Sequence, residues 1–255
     1  MARLPAEAAL ALVWLTRLPA GRLLPATPPA LARAAWAFPL AGLAVGLIGA
    51  AVLALAAFAG LPAPVAALLT VGAMILVTGG LHEDGLADFA DGSGGATPER
   101  RLEIMRDSRI GSYGVLALIV TIGLRVAAVA ALFGDPWLAA AALAGMAAAS
   151  RAGMAAGLGL MPPARRDGLG HAAGRPGRGA VAAALALGVA ALLPPALCLP
   201  HPPAAWLLPA AAMAAAQLWL ARRAMRGLGG QTGDVLGAMQ QAGEVAGLVA
   251  LTALA

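Results

Sequence analysis

Long apolar stretches alternate with short polar ones along this chain. No ionisable residue lies between Arg33 and His82, and that run is broken only at Gly60 to Pro64. A helix needs about 20 mostly apolar residues to cross a bilayer, so the pattern predicts spans at 36–58 and 64–80. Two more are predicted at 112–133 and 137–160, joined by a tight turn at Gly134, Asp135 and Pro136. The stretch from Gly179 to Ala221 carries no charge, and Pro194, Pro195, Pro200, Pro202 and Pro203 divide it into spans near 180–199 and 204–221. The tail at 235–255 makes a seventh, less apolar span. The segment 8–24 is too short and proline-broken to cross and reads as an interfacial helix. The charged start and small-residue cleavage site of a secretory signal are missing from the N-terminus.

Composition agrees with this pattern. Of 255 residues 61% are hydrophobic and 11% charged, with a mean hydropathy of +0.84, whereas soluble domains carry about 25% charged residues. An ordinary soluble domain is excluded. The expected fold is all-α: a polytopic transmembrane helical bundle of about seven spans (six to eight), forming one integral membrane domain over 1–255. Within it, 1–35 is a cytoplasmic and interfacial segment and 81–111 a cytoplasmic catalytic loop and helix.

The net charge of +5 comes entirely from arginine among the bases, since there is no lysine. These arginines are scattered in short clusters rather than gathered on one face, which argues against nucleic acid. Apart from Arg125 and Arg151 they fall in 1–35, 81–111, 165–178 and 222–226, and the intervening turns have none. Cytoplasmic loops concentrate arginine, so the N-terminus is placed in the cytoplasm and the C-terminus outside. Asp135 is the only acid on the outer side, and Glu244 is the one acid inside a span. Ionisable chemistry confined to one face suits a cytoplasm-facing enzyme better than a conduit. The single cysteine, Cys198, sits in an apolar run and reads as packing.

The densest chemistry runs from Gly79 to Gly92. On a helix, Asp84, Asp88 and Asp91 fall at i, i+4 and i+7 and stack three carboxylates on one face at the end of the second span. Like charges so close call for a cation. Mg²⁺ suits them, because it takes carboxylate oxygens and bridges them to substrate phosphates. A solvated acidic helix end is the alternative. His82 is a candidate ligand or base, and Glu83 points about a quarter turn off the stripe. Arg106, Asp107, Ser108 and Arg109, with the glycines that follow, suit a phosphate, since arginine binds such oxygens bidentately and backbone amides at a helix start approach the same anion. Arg125 and Arg151 lie well inside spans. There an arginine costs at least about 2.5–3.5 kcal/mol and implies a polar cavity, with the Asp84 stripe, Glu244 or a bound phosphate as partner. Thr232 and Asp234, in the glycine-rich run 229–237, offer oxygens to a metal or a ribose; the structural alternative is a helix-entry turn capped by the Asp.

These motifs resemble the cobalamin synthase family, the adenosylcobinamide-GDP ribazoletransferases. The resemblance rests on Phe38 to Gly46, Gly79 to Gly92, Arg106 to Gly114, Ser150-Arg151, Arg165 to Gly170 and Gly229 to Gly237, in family order over most of the chain. Two positions depart from the family's pattern: Glu83, where an apolar residue is expected, and Phe89, where a small polar one is usual. The resemblance implies a bacterial inner-membrane enzyme, its site facing the cytoplasm. It would join adenosylcobinamide-GDP to α-ribazole or α-ribazole 5′-phosphate and release GMP. It further implies Mg²⁺ on Asp84, Asp88 and Asp91, and phosphate charge neutralised by Arg106, Arg109, Arg125 and Arg151. Asp107 or His82 would orient or deprotonate the ribazole hydroxyl. A homo-oligomer stays open. Two other classes compete: another Mg²⁺-dependent membrane phosphotransferase or prenyltransferase, and a transporter or cobamide-binding subunit. The first is weakened because no Arg follows Ala87 in the order a CDP-alcohol phosphotransferase needs, the second by bare outer loops and the lack of an internal repeat.

Overall fold

The computed structural model describes residues 3–198, 205 and 207–255. Among these the chain forms thirteen α-helices and no strand; Pro163 and Gln231 make a single parallel bridge. The helices are α1 (Arg3–Leu15), α2 (Leu31–Ala34), α3 (Phe38–Phe58), α4 (Ala63–Thr78), α5 (Leu81–Gly92), α6 (Pro98–Ile104), α7 (Ser112–Ala131), α8 (Pro136–Leu160), α9 (Leu169–Ala172), α10 (Arg178–Ala191), α11 (Leu193–Cys198), α12 (Leu207–Leu228) and α13 (Gly233–Thr252).

The apolar stretches become helices close to their expected limits. Leu31–Phe58, Ser112–Gly134, Pro136–Leu160 and Arg178–Cys198 are long and apolar enough to cross a membrane, and α4 with α5 makes a fifth candidate as a bent pair. α12 and α13 stand where the sixth and seventh spans are expected and have the length, 22 and 20 residues. They fall short in apolarity because α12 ends on Arg222, Arg223 and Arg226 while α13 carries Asp234, Gln240, Gln241 and Glu244. Pro200, Pro202 and Pro203, and the span limits at 199 and 204, lie outside the described residues. The N-terminal helix begins at Arg3 rather than residue 8 and stops at Leu15, before Pro19. It packs on α3, with Trp36 Nε1 donating to Glu7 at 2.8 Å and Arg33 pairing with the same carboxylate at 3.3 Å.

α8 runs through the middle, buried along most of its length, against α3, α10 and α13. Its backbone nearly touches α3. A Cβ on Gly42 would sit 2.1 Å from the Ala147 carbonyl oxygen, so only glycine lets the two helices approach so closely, the small-residue packing typical of membrane interfaces. The outer faces are apolar, with Leu55, Phe58, Leu116, Ile119, Val189 and Leu218 exposed. Such a surface suits lipid.

The feature that positions the site is the joint between α4 and α5. Gly79 and Gly80 both adopt left-handed φ angles, 66° and 71°, a region that costs L-residues with a Cβ about 1–2 kcal/mol. The Gly80 amide donates to Ile75 and the Gly79 amide to Leu76, which closes α4 in a Schellman motif. The chain then leaves at 88° to start α5. The helix expected to run through residue 80 therefore ends at Thr78, and the acidic helix lies crosswise to it.

Candidate active site

α5 presents two faces of opposite character. On one, Asp84 is exposed while Asp88 and Asp91 are half-buried, as the i, i+4, i+7 spacing predicts. The N-terminus of α13 comes to this face. A Cβ on Gly85 would lie 2.9 Å from the Asp234 Cα, so the glycine lets the two backbones meet and brings Asp234 beside Asp84 and Asp88. Thr232, not Asp234, is the cap of α13: its Oγ1 accepts from the Val235 amide at 3.2 Å and donates to Asp234 Oδ2 at 3.1 Å. The Asp234 carboxylate is thereby left to the site. The preceding loop is pinned by the Ala164 amide donating to Gln231 and the Gln231 amide to Pro162, both at 2.8 Å. That places the Arg165 guanidinium 3.8 Å from Asp234.

Four carboxylates thus share one field. Burial, then Asp84, Asp234 and Asp91, push Asp88 up to about 7, against the opposing pull of Arg165. Asp234 is also raised, chiefly by burial. Asp91 is tied down: its two oxygens accept the amides of Gly111 (2.7 Å) and Gly114 (2.8 Å), which anchors the start of α7 to α5. Among the described residues no three His, Cys, Asp or Glu side chains form a ready-made metal cage. Mg²⁺ seldom needs one, being held by one or two carboxylates together with waters and substrate phosphates. The mutual repulsion around Asp88 is the surplus charge such a cation relieves, and the donors fit it.

The other face of α5 is buried and paired. Glu83, next to Asp84 in sequence, accepts from Arg125 at 3.2 Å and from Gln241 at 2.9 Å. Arg125 reaches Glu244 at 2.6 Å, and Arg151 lies 3.7 Å from the same carboxylate. Gln240 donates to Glu244 and to Ser150 Oγ, and Gln217 donates to the Ser150 carbonyl at 2.8 Å. Of the partners open to the two intramembrane arginines, the structure provides Glu244 for both and adds Glu83 for Arg125. Glu83 is thus half of a buried ion pair.

The loop before α7 is different again. Arg106 makes two contacts to Asp167, at 2.6 and 2.7 Å, and Arg109 pairs with Asp107 at 2.7 Å. Both pairs are exposed, as is Ser108. The Arg109 hydrogen bonds hold Asp107 down to about 2, so its carboxylate is a weak base. His82 is fully buried and neither ring nitrogen has a partner.

Two cavities meet at Asp84. The larger, about 710 Å³, is lined by Arg17, Thr78, Gly80, Asp84, Ala87 and Ile110. A smaller one of about 130 Å³ lies among α1, α3, α5, α8 and the start of α13. Arg17 is not among the site residues the sequence picks out, and Arg165 enters there only as the head of the run Arg165 to Gly170, with no role of its own. Arg17 looked like one more topology arginine, and only the fold, through its backbone amide donating to Val77 at 2.7 Å, brings it to the carboxylates. Gln217, Gln240 and Gln241 were also missed; glutamines inside apolar segments were the available signal.

Fold and site together define a helical membrane protein that gathers carboxylates and arginines around a cleft at one end of its bundle. The chain belongs to the cobalamin-5-phosphate synthase family, CobS, whose model matches residues 7–252. It is 50% identical over 241 residues to the adenosylcobinamide-GDP ribazoletransferase of Bradyrhizobium diazoefficiens, covering 94% of this chain and 90% of the relative. Over 225 residues it is 50% identical to the protein of the same name from Azorhizobium caulinodans (87% and 84% covered), and over 251 residues 41% identical to that of Allorhizobium ampelinum (96% and 95%). No solved structure matches the fold.

Proposed function

We propose that this chain transfers the cobinamide phosphate of adenosylcobinamide-GDP to a ribazole hydroxyl, giving adenosylcobalamin or its 5′-phosphate and releasing GMP, on the cytoplasmic face of the bacterial inner membrane. The observation that carries this reading is the surplus of negative charge around Asp88 and its neighbour Asp84, the latter lining a roomy cavity, in a chain matched along nearly its whole length by proteins named for that reaction. Asp84 and Asp88 would hold Mg²⁺ in the field of Asp91; bound there, the ion neutralises the diphosphate's nonbridging and leaving oxygens.

The remaining roles belong to the chain's own groups. Arg17 and Arg165 flank the carboxylates and take phosphate charge. Arg106 and Arg109 stand in exposed ion pairs that water and salt screen, so either turns to a diphosphate at small cost. Asp234, with proton affinity raised by burial, receives the proton of the attacking hydroxyl on its carboxylate, while Thr232 fixes that carboxylate's orientation. Arg125 and Arg151 act from behind, holding α5, α7, α8 and α13 in register. To test the reaction, the purified protein in lipid is incubated with adenosylcobinamide-GDP, α-ribazole and Mg²⁺, and GMP and the joined corrinoid are followed by mass-resolved chromatography. Magnesium-dependent formation of both is expected. Failure of both to form while a known ribazoletransferase works alongside overturns the proposal.

A further inference from the structure

The smaller cavity is apolar and partly aromatic, walled by Trp14, Leu15, Phe38, Leu158 and Leu236, with His82, Asp84 and Asp234 as its ionisable groups. Its volume, about 130 Å³, is close to the ~150 Å³ dry cavity that accepts a benzene ring. His82 on its wall is an anomaly. The imidazole is fully buried, yet neither nitrogen has a hydrogen-bond partner, and buried polar groups are ordinarily satisfied. The unmet groups call for a ligand that brings its own acceptor or donor into an apolar slot.

The surroundings narrow the ligand's chemistry. A phosphate is repelled by Asp84 and Asp234, and an acyl chain leaves the imidazole unsatisfied. A neutral, flat heteroaromatic ring meets both demands, stacking on Trp14 and Phe38 while a ring nitrogen meets His82. We infer that this cavity seats the azole base of the ribazole, with a His82 N–H donating to the base nitrogen that does not carry the ribose. The sugar then lies at the mouth beside Asp84 and Asp234, its hydroxyls next to the carboxylates. His82 is on this view a specificity residue for the base rather than the base that deprotonates the hydroxyl. The inference rests on the ribazole transfer proposed above.

The experiment compares two probes on the full chain in lipid nanodiscs: a benzimidazole riboside, and the indole riboside of the same shape that lacks the lone pair. Wild-type protein is expected to bind the first about tenfold tighter. In His82→Leu that ratio falls to about one, and in His82→Gln, which keeps an N–H, part of it survives. Ala173→Phe, which fills the cavity from a buried wall position, removes binding of both. A ratio near one in the wild type overturns the inference whether or not any variant folds, as does an unchanged ratio in His82→Leu or undiminished binding in Ala173→Phe. GMP release separates the two proposals. Turnover without base discrimination leaves the transferase standing and removes the seat; discrimination without GMP release does the reverse.

Discussion

Glu83 and Asp84 are neighbours on one helix and belong to different worlds. Glu83 turns inward, where Arg125, Arg151 and Glu244 complete a quartet of two positive and two negative charges surrounded by Gln240, Gln241 and Ser150. Asp84 turns outward to a cavity, where it faces Asp88 and Asp234 with fewer positive groups than negative ones. Inside an apolar bundle every charge must find its opposite, since removing one partner leaves another stranded. At the cleft the imbalance persists because water shares its cost and a ligand can cancel it. Matched charge holds this protein together, and on the proposed function unmatched charge is what it offers to a substrate.

The sharpest way to break the comparison is to unbalance the inner set. Glu244→Leu strands Arg125 and Arg151 and is expected to cost about 3–5 kcal/mol, seen as loss of folded protein and a lowered thermal midpoint in detergent or nanodiscs. Removing a matched pair instead, Glu83→Leu with Arg125→Met, should cost less than Arg125→Met alone; equal or greater loss would mean that the quartet is not a closed electrostatic unit. At the outer set the effects reverse. Asp84→Asn or Asp88→Asn should lower GMP release about 10²–10³-fold, the scale of a lost electrostatic contact in the transition state, with thermal stability intact.

A smaller effect follows from pH. Asp88 is raised from an ordinary carboxylate value to about 7, so below that pH it is protonated and a cation must displace the proton. Mg²⁺ affinity should therefore fall about tenfold per unit below pH 7 and level off above it, by titration at fixed ionic strength. Asp107→Asn is expected to do least. That exposed carboxylate is bound to Arg109 in a solvent-screened pair, and its loss should leave the thermal midpoint nearly unchanged and shift KM only slightly.

Much of this was legible in the chain. The apolar runs located α3, α7 and α8 within about two residues, because burying long apolar segments is a local, compositional property. The aspartate stripe was also local, fixed by the helical repeat alone. The choice of partner was not. Arg125 announced that it needed a counter-charge, but Glu83, 42 residues away, and Glu244 became its partners only through the packing of α5, α7 and α13. Asp234 joined a cluster 150 residues earlier because Gly85 has no side chain. The Gly79-Gly80 pair was visible, yet apolar continuity ran the second span through it; two successive left-handed residues are a decision of the backbone that hydropathy does not record.

That right-angled joint has a geometrical consequence. With α4 upright in the bilayer, α5 lies flat like a sill at a window, and a cargo far larger than the protein's own cavities can lean over it. On the proposed function, only the ends to be joined would have to come indoors, and the bulk of so large a substrate could stay in water.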